Sequence, residues 1–318
     1  MTFSIRKPAA VAAAAAWLTL LISGCTGGVD APNFSGENAF KLLKRQCDFG
    51  PRPLGSDAHG KTGDYLASVL TQYADKTFEQ RFTHKAGGRT LAGRNILGVF
   101  GENRKRWVLL LAHWDTRPVA DEEVDSERAG RPIIGANDGA SGCAVLLELA
   151  RLLHDKRAPV GVVVMLVDGE DYGSSPDEMF LGSKAFAERW REVMRPVKSF
   201  SKFEYGILLD MVGDKDLQIH KEQSSAQAAP RIVSKVWSSA NDLGYRKFFL
   251  SDAKYWVQDD HQPLLVGGIK CIDVIDFDYA YWHTLEDTVD KCSPRSLKIV
   301  GDVIARTIYS EPDAQPTR

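Results

Sequence analysis

Residues 160–167 read Val-Gly-Val-Val-Val-Met-Leu-Val, a run without one polar side chain, and it stops at Asp168-Gly169-Glu170-Asp171. A strand this apolar is covered on both faces, so it belongs inside a sheet that is packed between helices. Shorter apolar or alternating runs at 78–82, 95–100, 107–111, 206–209, 247–250 and 269–275 also read as strands. Between them, 37–47, 58–73, 141–153, 185–193, 230–243 and 294–309 read as helices. In 141–153, Val145, Leu146, Leu149, Leu152 and Leu153 share one face. This alternation predicts a three-layer α/β/α sandwich around a central mixed, mostly parallel β-sheet, held in one domain over 37–310.

Ligands of such sheets sit beyond the carboxyl ends of the strands, and those ends carry an unusual set of residues here. Run 107–111 leads to His113-Trp114-Asp115, and 206–209 leads to Asp210. Run 269–275 is followed by Trp282-His283-Thr284, and Gly135-Ala136-Asn137-Asp138-Gly139 precedes the helix at 141–153. With a period of two, Asp115 falls on the same side as His113 and is placed to orient its imidazole. Taken singly, Asp138 is a helix cap, the 168–171 carboxylates a solvated turn, and His283 an interior histidine. Their recurrence at buried strand ends asks for more, because crowded carboxylates repel one another and protonate unless a cation offsets them. Imidazole nitrogen with carboxylate oxygen is a donor set that suits zinc without thiolate. Glu170, beside the metal-competent Asp171, is placed to move a proton.

The bulk properties exclude other classes. The chain of 318 residues is 44% hydrophobic and 26% charged, with a formal net charge of −2, which leaves no basic footprint for nucleic acid. Residues 1–25 read as a signal peptide: Arg6 and Lys7 precede an apolar stretch at 9–22 that is short for a bilayer span. Leu21-Ile22-Ser23-Gly24-Cys25 resembles the bacterial lipobox, which implies a lipid anchor at Cys25 and a place in the cell envelope. In a Gram-negative host, Thr26 after that cysteine implies the outer membrane. Residues 26–36 read as a tether and 311–318 as a disordered tail. Cys47, Cys143, Cys271 and Cys292 form no zinc motif; Cys143 reads as a buried thiol, and a bridge between Cys271 and Cys292 is open.

The motif set resembles the family that contains zinc aminopeptidases and glutaminyl-peptide cyclotransferases (glutaminyl cyclases), over about 47–308. The resemblance implies that Asp138, Asp171 and His283 hold a catalytic zinc and that Glu170 is the general base and acid. It gives His113 and Asp210 as ligands of a second metal in the two-zinc aminopeptidases, with Asp138 bridging. Asp168-Gly169-Glu170-Asp171, Ser175-Pro176-Asp177, Leu181-Gly182-Ser183, 208–213 and Gln258-Asp259-Asp260-His261-Gln262-Pro263 resemble the cyclase. Gln258 and Trp282 then become substrate-binding, and Asp259 pairs with the catalytic Asp210 through a shared proton. The sequence departs from the family where Asp171 replaces the usual Glu, where the loop at 172–175 lacks a tryptophan, and where Asp273 stands in place of a histidine.

The cyclase reading implies one zinc, a peptide or protein N-terminus as substrate and a monomeric enzyme; the alternative is a two-zinc aminopeptidase that hydrolyses the first peptide bond. An inactive metal-binding lipoprotein would have lost Glu170, and a serine hydrolase would need a Gly-x-Ser-x-Gly elbow, which is not in the chain. His59, His84, His154 and His220 read as surface residues, and His261 as a hydrogen-bonding residue at a helix start. The acidic stretch 121–127 reads as a solvated loop near the site mouth and a candidate lid, with calcium or basic substrates as the other readings.

Overall fold

A computed structural model describes residues 31–313. In chain order the elements are α1 (Gly36–Cys47), α2 (Asp57–Tyr73), β1 (Lys76–Ala86), β2 (Arg89–Phe100), β3 (Trp107–His113), α3 (Ser126–Ala129), α4 (Ala140–Asp155), β4 (Gly161–Val167), α5 (Leu181–Val193) and β5 (Phe203–Asp210). There follow β6 (Ile219–Lys221), α6 (Gln223–Ala228), α7 (Pro230–Asp242), β7 (Phe249–Ala253), α8 (His261–Val266), β8 (Cys271–Ile275) and α9 (Pro294–Tyr309).

Six strands form the main sheet in the order β1-β2-β4-β3-β5-β8. The neighbours β4, β3, β5 and β8 run parallel, while the β1–β2 hairpin joins antiparallel at β4. Each central strand divides its side chains between two layers, as a period of two requires. Val108, Leu110, Val162 and Val164 face the layer that holds α4 and α9, and Leu109, Leu111, Val163 and Met165 face the layer of α5 and α8. The predicted sandwich is the one that forms. Because β3, β4, β5 and β8 are parallel, their carboxyl ends share one edge, which brings His113, Asp168 and Asp210 together.

Several expectations change. Run 247–250 is not part of the main sheet: its strand, β7, pairs with the short β6 in a separate two-stranded sheet. Strands 78–82 and 95–100 are the inner parts of a long hairpin, closed by Gly87 and Gly88, whose φ of 54° and 73° suit the two-residue turn. The tether ends sooner than expected, since Phe34 is buried against Gly301 and Ser35 caps α1. At the other end Glu311 is buried, not frayed, and accepts from Tyr205 Oη at 2.8 Å and Arg106 Nη2 at 3.0 Å. The leader, the lipobox with Cys25, residues 26–30 of the tether and residues 314–318 lie outside the described residues. Cys271 and Cys292 are separate buried thiols, and Cys47 and Cys143 are also free.

Helix α4 reaches the sheet at Gly142, where an added Cβ would lie 2.2 Å from the Leu209 carbonyl oxygen and 2.9 Å from Ala112 Cβ. That close approach sets how far Asp138, just ahead of α4, stands from the ends of β3 and β5. The Gly142→Ala variant should therefore lose about 1–3 kcal/mol through overpacking, outweighing the roughly 1 kcal/mol that alanine gains in a helix. A melting temperature at or above that of the wild type would contradict this account of the contact.

Candidate active site

Backbone strain marks the catalytic edge. Among the described residues, the only non-glycine residues with positive φ are Phe180 (59°), Met211 (46°) and His283 (56°). One of these is His283 itself, one follows Asp210, and one donates its N–H to the Glu170 carbonyl. Such conformations cost about 1–3 kcal/mol each and persist where the surroundings enforce them. Gly135, Gly139 and Gly169 take φ of 60°, 98° and 68° in the turns that carry Asp138 and Glu170.

Buried carboxylates fasten these turns by accepting backbone N–H groups. Asp115 accepts from the amides of Glu170 and Asp171 at 3.0 and 3.2 Å. Asp287 accepts from Asn137 and Asp138 at 2.8 and 3.1 Å and from the Tyr279 hydroxyl at 2.7 Å. Arg52, fully buried, donates to the carbonyls of Trp114, Ile134 and Gly135 at 2.7, 2.7 and 2.9 Å. A guanidinium spent on three carbonyls holds the strand end of β3 and the Asp138 loop in one frame.

Within that frame the donor atoms of Asp138, Asp171 and His283 lie within 4.8 Å of one another, and so do those of His113, Asp138 and Asp210. Asp138 belongs to both sets: Oδ1 is 3.1 Å from His113 Nε2, and Oδ2 is 3.7 Å from His283 Nε2. His113 Nε2 is also 3.1 Å from Asp210 Oδ1, and His283 Nε2 is 3.6 Å from Asp171 Oδ1. Asp171 Oδ2 is buried without a hydrogen-bond partner. An orphaned buried oxygen, on a carboxylate whose other oxygen lies 3.6 Å from a neutral imidazole, is what a divalent cation with nitrogen and oxygen preference would fill.

The electrostatics separate the two imidazoles. Burial pushes His283 down to about 4, which keeps it in the neutral form that a metal requires. His113 moves well above the usual value although burial opposes it, because Asp115, Asp138 and Asp210 surround it. Burial together with neighbouring charges raises Glu170 and Asp171 well above the carboxylate range. For Asp138 burial acts upward, but the hydrogen bond and charge of His113 outweigh it and the group is lowered.

A profile of peptidase family M28 matches residues 95–308. The chain belongs to that family. It is 39% identical to Tannerella forsythia glutaminyl cyclase, whose crystal structure superposes with a TM-score of 0.82 over 88% of this chain and 100% of that one. A Zn-dependent exopeptidase from Parabacteroides distasonis is 38% identical, with a TM-score of 0.83 over 88% of this chain and 100% of that chain. The glutaminyl-peptide cyclotransferase of the snake Boiga irregularis is 24% identical over 69% of this chain, and the match spans 65% of the snake protein's length.

In this M28 chain the expected metal-ligand residues converge, and Glu170 stands beside them, 3.8 Å from His113 Nδ1. Other expectations need correction. Asp115 does not hydrogen-bond the His113 imidazole, whose Nδ1 is 3.8 Å away; its oxygens serve the two amides instead. Asp210 spends its carboxylate on His113, and Asp259 is grouped with Asp273 and His261. Burial raises both Asp259 and Asp273 well above the carboxylate range, with the charges of Asp273 and Asp210 adding to it at Asp259 and those of Asp210 and Glu222 at Asp273. Trp282 stacks on His283 at 3.9 Å and packs on Phe277. Gln258 is exposed and shares a groove of about 500 Å³ with Phe180, Lys184 and Val266.

His59 is not a surface residue: it is buried, bonds Asp168 at 2.8 Å and stacks on Trp114. His154 is exposed, while His84 and His220 are half-buried. His261 starts α8 as expected, with Nε2 2.8 Å from Ser224 Oγ. The stretch 121–127 is solvated as expected, with all but Glu123 exposed, yet Asp121 and Glu123 are engaged by Arg117 and Arg128 and Asp125 caps α3. Sequence reasoning missed Arg52, Arg117, Asp121 and Asp287. Asp121 was noted only as part of the acidic stretch 121–127 and the other three stand in no motif singled out above; their partners are mostly backbone atoms or residues distant in the chain.

Burial pushes Asp168 up to about 6, and Asp260, Asp276 and Asp287 up to about 7. Acids raised on folding contribute stability below their unfolded value of 3.8, and it is lost as pH rises through the folded value. His283 acts in the opposite sense, but only between its unfolded 6.5 and about 4. From pH 6.5 to 8 the resolved shifts therefore share one sign. Chelator-treated protein should melt several degrees lower at pH 8 than at pH 6.5, and zinc should narrow that difference. A rising melting temperature over that interval would refute the proton accounting.

Proposed function

We propose that this chain is a zinc-dependent glutaminyl-peptide cyclotransferase, which converts the N-terminal glutamine of peptides to pyroglutamate with release of ammonia. The observation that carries the reading is the placement of Glu170: a buried carboxyl of raised pKa, its amide locked by Asp115, beside the ligand set Asp138, Asp171 and His283. The chain is as similar to a named cyclase as to a named zinc exopeptidase; the 258–263 motif, which resembles the cyclase, is what favours this reaction over peptide hydrolysis. Those three ligands would hold zinc, which when bound supplies Lewis-acid polarisation of a carbonyl.

The chain's own residues then account for the proton movements. Glu170, as carboxylate, removes a proton from the substrate α-amine while the amine nitrogen attacks the side-chain amide carbon and closes a five-membered lactam. The protonated Glu170 returns that proton to the departing amide nitrogen, which leaves as ammonia, so protons balance within one residue. A raised pKa suits this double use near neutral pH. On this reading Trp282, which stacks on His283, would line the pocket for the glutamine side chain, and the exposed Gln258 would meet the rest of the peptide. Asp210 holds His113 in place.

A second reading rests on the set His113, Asp138 and Asp210, which offers a second metal position with Asp138 shared, as a two-zinc aminopeptidase would need. Mass analysis of Gln-initiated and Leu-initiated peptides after incubation separates the two. Loss of ammonia from the Gln peptide alone is expected, whereas loss of the first residue from either peptide would establish the hydrolase. Glu170→Gln should lower kcat by about 10²–10⁴-fold, and a variant with full activity would rule out the proton-transfer role.

We also propose that the enzyme works in the cell envelope, lipid-anchored through Cys25. The support is the leader at 1–25 and its lipobox-like end; among the described residues no helix is long and apolar enough to cross a membrane. Cys25→Ser should move the protein from the membrane fraction to the soluble one. A wild-type protein already soluble after export would count against the anchor.

A further inference from the structure

Arg117 lies outside every recognised motif and Asp121 opens the acidic stretch 121–127, yet between them they touch two of the three expected ligands. Arg117 is buried and donates through Nη1 to Asp171 Oδ1 at 2.6 Å and to the Gly173 carbonyl at 3.1 Å. Its Nε and Nη2 take the two oxygens of Asp121 at 2.8 and 2.6 Å. Asp121 Oδ1 in turn lies 3.0 Å from His283 Nδ1. The result is a string, Asp171–Arg117–Asp121–His283, that runs from one ligand to another without passing through the metal position.

Each link has a stereochemical consequence. A neutral imidazole carries one N–H, and a carboxylate facing Nδ1 fixes it there. The lone pair is then on Nε2, which faces Asp138 and Asp171 at 3.7 and 3.6 Å. Arg117 has donors only and no accessible neutral form, so its fork holds the Asp121 carboxylate in one orientation. By occupying Oδ1 of Asp171 it leaves Oδ2 as the buried, unpartnered oxygen. The loop is also fastened to the segment it supports: Glu122 donates its amide to the His283 carbonyl at 3.3 Å, and Glu123 accepts from the Leu285 amide at 3.0 Å.

We propose that Arg117 and Asp121 are positioning residues that set the zinc affinity of the centre, Asp121 by fixing the His283 tautomer and Arg117 by presenting one oxygen of Asp171. The acidic stretch is on this view a support for metal ligands. The inference rests on the metal reading of Asp138, Asp171 and His283, and not on which reaction the enzyme runs.

The test measures zinc dissociation constants of chelator-stripped wild type, Asp121→Ala, Asp121→Asn and Arg117→Lys by competition with a chromophoric chelator. The melting temperature of each metal-free protein is recorded alongside. Asp121→Ala should weaken zinc binding about 10–100-fold, the cost of losing a group that orients a ligand. Asp121→Asn, which keeps an acceptor oxygen, should recover part of that loss. Arg117→Lys keeps the charge but not the fork; it should weaken binding too, and combined with Asp121→Ala it should add little, as coupled neighbours do. Metal-free melting temperatures of the two Asp121 variants should stay within a few degrees of the wild type, because Asp121 is exposed. If wild type takes up no zinc, the metal reading itself fails. If wild type binds zinc and Asp121→Ala binds it equally tightly, the positioning role alone is overturned.

Discussion

Asp138 sends one carboxylate oxygen toward His113 and the other toward His283, and almost no water reaches either. A carboxylate in that position is tolerable only when opposite charge or hydrogen bonds replace the lost hydration. His113 supplies part of the compensation and pulls the group below its usual range, while Asp171, a short distance away, stays raised. The remaining imbalance is what a dication would remove. Much of the surrounding architecture serves to keep this unstable grouping in register.

That service is performed largely by side chains that hold backbone. Asp115 grips the amides that precede the Glu170 and Asp171 side chains, Asp287 grips the Asp138 loop, and Arg52 ties the same loop to the end of β3. A side-chain carboxylate that accepts two successive amides fixes the direction of the chain more firmly than packing of a surface turn could. The three left-handed residues at this edge are the complementary sign: the backbone is forced, and something rigid must force it. The parallel sheet provides the base, because four strand ends on one edge need only short loops to bring their side chains into contact.

What was legible in the sequence followed from burial. The run at 160–167 has to end where the first charged residue begins, so Asp168 and its neighbours could be placed at a strand end without coordinates. Asp171, His113 and Asp210 were legible for the same reason, while Asp138, ahead of a helix, and His283, beyond the last strand, joined the ligand set through the family resemblance. The support was not. Asp121 looks like any acid in a polar loop, and its role depends on the path that loop takes across His283. His59 lies on a helix whose inward face includes few large apolar residues, so nothing local signalled that its ring would be covered by Trp114 and tied to Asp168. The Gly87-Gly88 turn was a readable hairpin signal, but its flanks are half-exposed and their alternation is weak. Glu311 follows the last helix by two residues and owes its burial to Tyr205 and Arg106, far back in the chain.

The four cysteines of the domain remain separate thiols. Burial holds Cys47 up to about 11 and Cys143 up to about 12, so little reactive thiolate forms near neutral pH. The fold therefore contains no cross-link whose formation must await an oxidant or an isomerase. Nothing among residues 31–313 ties completion of the fold to a change in thiol oxidation state.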